Sequence, residues 1–288
     1  IPWGNYIWKV QSIDPSGVVS EWSNEKELFI PRLVKSFQSI PGYSYGISRW
    51  SDINNDNLLD LAITGNLYTG SSKTQIYLNE DGILNVNNLQ PQMANVYGGH
   101  LSFVDYNNDG FLDISMSGLA TVNFSTFTAL LLYKWENGNF VLDDDENQWS
   151  ITDGYWGGQY NHDWADYDND GDLDLVSGGI SIFDNTNYLT IFKNNNGILS
   201  KDTTQTDLIP LFPCALIWID INGDNYKDLL TLGRLQLNGV SHMYINDGMG
   251  KLIKSSDEPF EIPSTLHAIS VGDHNNDGFD DVAVAHLN

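Results

Sequence analysis

Asp166-Tyr167-Asp168-Asn169-Asp170-Gly171-Asp172-Leu173-Asp174 sets an acidic side chain at every odd position of a nine-residue stretch. Four other stretches align with it without a gap. They are Asp52-Ile53-Asn54-Asn55-Asp56-Asn57-Leu58-Leu59-Asp60, Asp105-Tyr106-Asn107-Asn108-Asp109-Gly110-Phe111-Leu112-Asp113, Asp220-Ile221-Asn222-Gly223-Asp224-Asn225-Tyr226-Lys227-Asp228 and Asp273-His274-Asn275-Asn276-Asp277-Gly278-Phe279-Asp280-Asp281. Their first residues stand 53, 61, 54 and 53 positions apart. Positions 1, 3, 5 and 9 are Asp or Asn in all five copies, whereas position 7 varies freely (Leu58, Phe111, Asp172, Tyr226, Phe279). Position 6 is Gly or Asn throughout (Asn57, Gly110, Gly171, Asn225, Gly278), the residues that best tolerate a left-handed backbone.

The surroundings repeat as well, and a fixed period of this length signals an array of like structural pieces. Two residues before each loop stands Trp50, Phe103, Trp164, Trp218 or Val271, and a short apolar run follows each last Asp. Later come Tyr77-Leu78-Asn79, Tyr133-Lys134-Trp135, Phe192-Lys193-Asn194 and Tyr244-Ile245-Asn246, each leading into Asn/Asp/Gly turn residues and another apolar run. Each repeat therefore reads strand, acidic loop, strand, long connection, strand, tight turn, strand. Four strands per roughly 55 residues is the plan of a propeller blade. The fold expected is all-β, a β-propeller of four-stranded blades with four complete and one partial blade. No useful helical periodicity appears.

Residues 1–30 stand outside the repeat. Tyr6, Trp8, Val10 and then Ser20-Glu21-Trp22-Ser23 resemble the last two strands of a fibronectin type III-like domain, so the expected division is 1–30 and 31–288. Leu33 to Ile40 resemble a fourth blade strand placed ahead of the first blade, as in a ring closed by its own N-terminal segment. The fifth repeat stops after its second strand, at Asn288, which reads as an excerpt of a longer chain.

The net charge is −25, from 38 acidic and 13 basic residues, and sixteen of those acids occupy loop positions 1, 3, 5 and 9. Such a surface repels phosphate backbones and anionic headgroups, so neither nucleic acid nor a membrane surface is an expected partner. No apolar stretch reaches the ~18 residues of a membrane-spanning helix. Carboxylates crowded at alternate positions of a tight loop suit a hard cation, which takes six to eight oxygens at roughly 2.3–2.6 Å. Position 7 then contributes its backbone carbonyl, which explains its free variation. Zinc is disfavoured for want of Cys and His, and Mg2+ by its strict octahedral geometry. Ca2+ is the expected ion, one per loop. A turn needs the same residue types, but five copies in phase exceed what turns require. An EF-hand lacks its Glu at position 12 and its flanking helices here.

These loops, with their aromatic lead-in and apolar exit, resemble the FG-GAP/VCBS-type repeats of integrin-like propellers over about residues 31–288. The resemblance implies Ca2+ held by side chains 1, 3, 5 and 9 and by the carbonyl of 7. In this chain those are Asp52, Asn54, Asp56, Leu58 and Asp60; Asp105, Asn107, Asp109, Phe111 and Asp113; Asp166, Asp168, Asp170, Asp172 and Asp174; Asp220, Asn222, Asp224, Tyr226 and Asp228; and Asp273, Asn275, Asp277, Phe279 and Asp281. Asn57 and Asn225, in place of the usual Gly, imply weaker occupancy of the first and fourth loops.

The remaining candidates read as architecture. Cys214 sits in an apolar run and reads as a small core residue. His162 follows the aromatic stretch holding Trp156, but Gly98-Gly99-His100 occupies a similar place one repeat earlier, and features recurring by repeat are architectural. Asp143-Asp144-Asp145-Glu146 reads as a solvated connection. No phosphate-binding Gly loop or nucleophile motif appears. The expected function is a non-enzymatic, Ca2+-stabilised binding or scaffold module of a large secreted or cell-surface protein, presenting a propeller face to a protein or glycan ligand. The alternatives are the propeller of an extracellular carbohydrate-active enzyme, which a cleft uniting His100, Trp156, His162 and Asp163 would favour, and a passive spacer in an adhesin-like chain.

Overall fold

The computed structural model describes residues 4–8, 26–30, 40–87, 93–122, 125–143, 161–180, 186–212, 214–235, 238–256, 265–274 and 280–287. The chain divides into two units, Ile1–Ile40 and Pro41–Asn288. In the first, β1 (Gly4–Trp8) and β2 (Lys26–Ile30) pair antiparallel with Gly4 opposite Ile30. The strand expected at residues 33–40 falls almost wholly outside the described residues.

The second unit is a series of antiparallel sheets in chain order. The first holds β3 (Tyr43–Ser51), β4 (Asp60–Leu67), β5 (Ser72–Glu80) and β6 (Ile83–Val86). The second holds β7 (Asn95–Val104), β8 (Asp113–Val122), β9 (Ser125–Glu136) and β10 (Asn139–Leu142). In the third are β11 (Asn161–Ala165), β12 (Asp174–Ile180), β13 (Asn187–Asn195) and β14 (Ile198–Lys201). The fourth comprises β15 (Cys214–Ile219), β16 (Asp228–Leu235), β17 (Asn238–Asn246) and β18 (Leu252–Lys254). The fifth pairs β19 (Thr265–Gly272) with β20 (Asp281–Leu287). Among the described residues there is no helix, and none long and apolar enough to cross a membrane. The architecture is all-β with repeated four-stranded sheets, as the sequence pattern requires.

One element of that pattern differs. The connection between second and third strands is short, because the strands themselves use up the spacing: β8 and β9 stay paired from Ile114–Tyr133 out to Val122–Ser125. The longer stretches join one sheet to the next, such as 202–213 between β14 and β15.

Consecutive sheets pack face to face, and each interface has its own core. Ile53, Ala62 and Ile76 of the first sheet meet Val96, Leu101 and Met116 of the second. Leu130 and Leu132 meet Leu175 and Phe192 in the next interface. Val176 and Ile191 meet Leu216 and Leu229 in the third, and Leu230 and Leu232 pack against Val282 and Val284 in the fourth. Strands covered on both faces read as apolar runs rather than as alternation, which is why β12 and β16 are buried almost end to end. The first strands β3, β7, β11, β15 and β19 lie beside one another in that order. Every acidic loop joins the first strand of a sheet to its second, so the loops share one edge of the stack.

The aromatic residue before the second, third and fourth loops packs into the seam between sheets. Trp164 stacks on Tyr106, and Trp218 stacks on Tyr167 with centroids 5.3 Å apart and planes 12° from parallel. Phe103 packs into the cluster containing Ile53. Trp164 and Trp218 thus cover position 2 of the preceding loop. Trp50, in the first sheet, is 55 % exposed.

Candidate metal centre

The nine-residue loops fold alike because their own side chains cap their own backbone. In the first loop the Asp52 carboxylate accepts the N–H groups of Asp56 (2.9 Å) and Asn57 (2.8 Å), and Asp56 Oδ1 accepts from Leu58 N. Asp105 and Asp109 make the same bonds in the second loop, Asp220 and Asp224 in the fourth. Position 6 is left-handed in each described case, with φ of 66° at Asn57, 86° at Gly110, 98° at Gly171 and 69° at Asn225. Asn57 and Asn225 therefore hold the same backbone as their glycine counterparts. Position 4 is left-handed too, at Asn55, Asn108, Asn169 and Gly223. The sequence reading missed that second turn, although Asn or Gly stands there in every copy.

The Asp at position 9 is the hub. Asp60, Asp113, Asp174 and Asp228 are all fully buried. In three of these four loops one carboxylate oxygen accepts from the amide of position 2: Ile53 N (3.1 Å), Tyr167 N (3.3 Å) and Ile221 N (3.0 Å). The other oxygen accepts from the third strand, at Asn79 N, Trp135 N, Asn194 N and Asn246 N. Burial raises all four acids above the ordinary carboxylate range, Asp113 and Asp174 to about 7, against the lowering effect of these amides. Acidic neighbours in the same loop push the same way.

The third loop departs from the others. In loops 1, 2 and 4 the position-3 carboxamide of Asn54, Asn107 or Asn222 donates to the position-5 carboxylate at 2.9–3.1 Å, closing the loop on itself. In the third loop position 3 is Asp168, which cannot donate. There Asp166, Asp168 and Asp174 bring carboxylate oxygens within 4.8 Å of one another. Asp166 Oδ1 and Asp168 Oδ1 are buried with no hydrogen-bond partner. Two orphaned anionic oxygens beside a third carboxylate are costly unless a cation joins them. Burial first, then Asp170 and Asp168, raises Asp166 despite the Gly171 amide. Lys193 Nζ lies 2.7 Å from Asp168 Oδ2, on the other oxygen of the same carboxylate. All-oxygen donors on a tight loop fit a hard divalent cation, and Asp166, Asp168 and Asp174 would hold it there. Such an ion would supply charge neutralisation and a rigid junction between first and second strands.

Of the other predicted ligands, Asp170 and Asp172 lie outside that cluster. The expected ligand atom of Asp172 is its backbone carbonyl; its side chain accepts from Asn108 Nδ2 of the preceding loop at 2.5 Å. In the fifth loop Asn275, Asp277 and Phe279 lie outside the described residues. Asp273 and Asp281 are described, and His274 N donates to Asp281 Oδ2.

Two stretches of the chain, residues 52–115 and 220–284, match the FG-GAP-like repeat family. These are FG-GAP-like repeats. Each begins on the first Asp of one acidic loop and runs through the next, so the two FG-GAP-like stretches take in loops 1 and 2 and loops 4 and 5. The third loop falls between them. No curated protein matches the chain.

His162 is a buried strand residue whose two ring nitrogens meet Ser115 Oγ (2.8 Å) and Ser117 Oγ (2.9 Å) of the neighbouring sheet. His100 packs edge-on against it, ring centroids 4.8 Å apart, with Arg49 Nη2 2.6 Å from its Nε2. Asp163 accepts from Trp218 N. The cluster joins four sheets and spends its polar atoms on strands; Trp156 lies outside the described residues. Asp143 corrects the reading of a solvated acidic connection. It is buried, accepting Tyr106 OH at 2.7 Å and pairing with Lys134, and Asp202 takes Tyr167 OH in the same way one sheet later. Residues 144–146 and the Cys214 side chain lie outside the described residues.

Proposed function

We propose that this chain is a Ca2+-stabilised β-propeller module, non-enzymatic, that presents a ligand-binding face within a larger secreted or cell-surface protein. The observation that carries the reading is the third loop, where two buried carboxylate oxygens without partners stand beside a third carboxylate. FG-GAP-like repeats before and after that loop support it, since such repeats are typical of extracellular proteins and propellers. The ordered stack of sheets supports a ring, because each sheet covers the face of the one before it. In the first unit, β1 and β2 are read as the remnant of a fibronectin type III-like sandwich.

The ion's role is structural. Each loop ties the first strand of a blade to its second, and the hub Asp ties both to the third, so neutralising the loop stabilises the whole blade. A site with Kd near ~10⁻⁴ M in ~1 mM Ca2+ adds about 1.4 kcal/mol. Several such sites rival a domain's entire stability. Cytosolic Ca2+ would leave them empty, in keeping with an extracellular place. The partner is a protein or glycan; with a charge of −25, nucleic acid is disfavoured. The test is thermal melting in 1 mM Ca2+ and in excess EDTA: chelation is expected to lower the midpoint by at least several degrees, and unchanged melting would sink the reading.

A further inference from the structure

Two asparagines connect neighbouring acidic loops. Asn194, 2 % exposed, donates from Nδ2 both to Leu173 O (2.9 Å), at position 8 of loop 3, and to Tyr106 O (2.6 Å), at position 2 of loop 2. Its Oδ1 accepts from Gly197 N, so the carboxamide is fully used. One sheet later Asn246 repeats the pattern, donating to Lys227 O in loop 4 (3.0 Å) and Tyr167 O in loop 3 (2.7 Å) while accepting from Gly248 N. The backbone amides of both residues also meet the hub carboxylates Asp174 and Asp228. Each asparagine therefore touches the hub of its own loop and the backbone of the loop before it.

The hairpin turns reinforce these ties. A Cβ built on Gly197 would stand 3.0 Å from Asn107 Cβ, and one on Gly250 would stand 2.9 Å from Asp168 Cβ. Turns of the third and fourth sheets thus rest on position 3 of loops 2 and 3. Loop 1 lacks both contacts. The residue equivalent to Asn194 in the second sheet is Trp135, whose ring packs on Phe140 and has no carboxamide to donate. The turn glycine there, Gly138, has open space where a Cβ would be.

We propose that loops 2, 3 and 4 bind Ca2+ as a coupled series, with Asn194 linking loop 2 to loop 3 and Asn246 linking loop 3 to loop 4, while loop 1 binds independently. The inference rests on the Ca2+ reading above. Ordering one loop fixes its hub and position-2 carbonyl, hence the asparagine that also holds its neighbour, so the second loop loses less freedom when it orders. Hydrogen–deuterium exchange of peptides spanning each loop, followed against free Ca2+ on the full chain, separates the loops. Asp170→Ala removes the exposed position-5 carboxylate of loop 3, which the repeat pattern assigns to the ion. It is expected to raise the Ca2+ midpoint of loops 2 and 4 by about five-fold, a modest coupling, and to leave loop 1 unmoved. Asp56→Ala is expected to leave loops 2, 3 and 4 unmoved. In an Asn246→Ala background, Asp170→Ala should no longer shift loop 4; if that background fails to fold, the two exposed variants decide the matter alone. Coupling is overturned if loops 2 and 4 ignore Asp170→Ala, or if loop 1 shifts as far as they do. Absence of Ca2+-dependent protection in every loop would instead overturn the metal reading itself.

Discussion

Between pH 7 and 5 the buried rings of His100 and His162 cost the folded chain stability relative to the unfolded one, and His162→Gln isolates that effect. Burial holds His162 well below its ordinary value, with His100 and Arg49 adding to it. Burial and the Arg49 guanidinium bring His100 to about 3. Both rings therefore stay neutral in the folded chain, while the unfolded chain takes up protons below pH ~6.5. Their contribution is complete above that value and is lost as pH falls toward 3. At pH 5 each costs about 2 kcal/mol, since the unfolded state is then ~1.5 units below its titration point at 1.36 kcal/mol per unit. Asp163 works in the opposite direction: burial lifts it to about 6 against the Trp218 and Trp164 amides and the charges of Lys227 and Arg49. Its folded form takes up a proton over the same range and returns about 1.5 kcal/mol. The histidines win, and their net effect with Asp163 is a loss of roughly 2–3 kcal/mol. Asp113 and Asp174, both near 7, also gain protons in the folded chain and offset the loss further, so the difference between wild type and variant, to which they contribute equally, is the quantity that reports on His162. The assay is urea denaturation at pH 7, 6 and 5 for both proteins. Wild type should lose about 2 kcal/mol more than His162→Gln between pH 7 and 5. Parallel profiles would refute the argument, because they would mean that His162 accepts a proton without cost.

Lys193→Met removes the ammonium beside Asp168 while keeping an apolar stem over Tyr167. The Ca2+ affinity of loop 3, read by calorimetry, should rise several-fold as one positive charge leaves the site, and weaker binding would show that Lys193 instead orients Asp168. Gly99 crosses the paired strand so closely that an alanine Cβ would lie 1.7 Å from Ser117 O, at the β-bulge just before His100. Gly99→Ala should cost more than about 3 kcal/mol in urea denaturation, against about 1 kcal/mol for Gly138→Ala, whose turn is left-handed but open. Equal losses for the two would contradict the close approach.

The repeat was legible because its chemistry is local. Alternate carboxylates, a left-handed position 6 and an apolar run after position 9 all act within nine residues, and each stands where the sequence places it. Connections between repeats were harder to see. Asn194 and Asn246 read as turn residues from sequence, since nothing local reveals that their side chains reach a carbonyl 88 or 79 residues away. Their recurrence, broken only by Trp135, was the available signal. Asp143 read as solvated because charge in a connection usually is; its Tyr106 partner is visible only once the sheet has folded. His162 read as architectural from the repetition of His100, but Arg49 carried no signal, since no other repeat has a counterpart. The difference between loop 3 and the others turns on one atom pair, Asp168 in place of Asn, and its consequence emerged only from the orphaned oxygens.

Ca2+ binding by equilibrium dialysis at millimolar free ion, on the intact chain and on Asp168→Ala, meets the central claim most directly. More than one ion should bind per chain, with at least one lost on substitution. No binding by the intact chain, or the same number bound by both proteins, would contradict it.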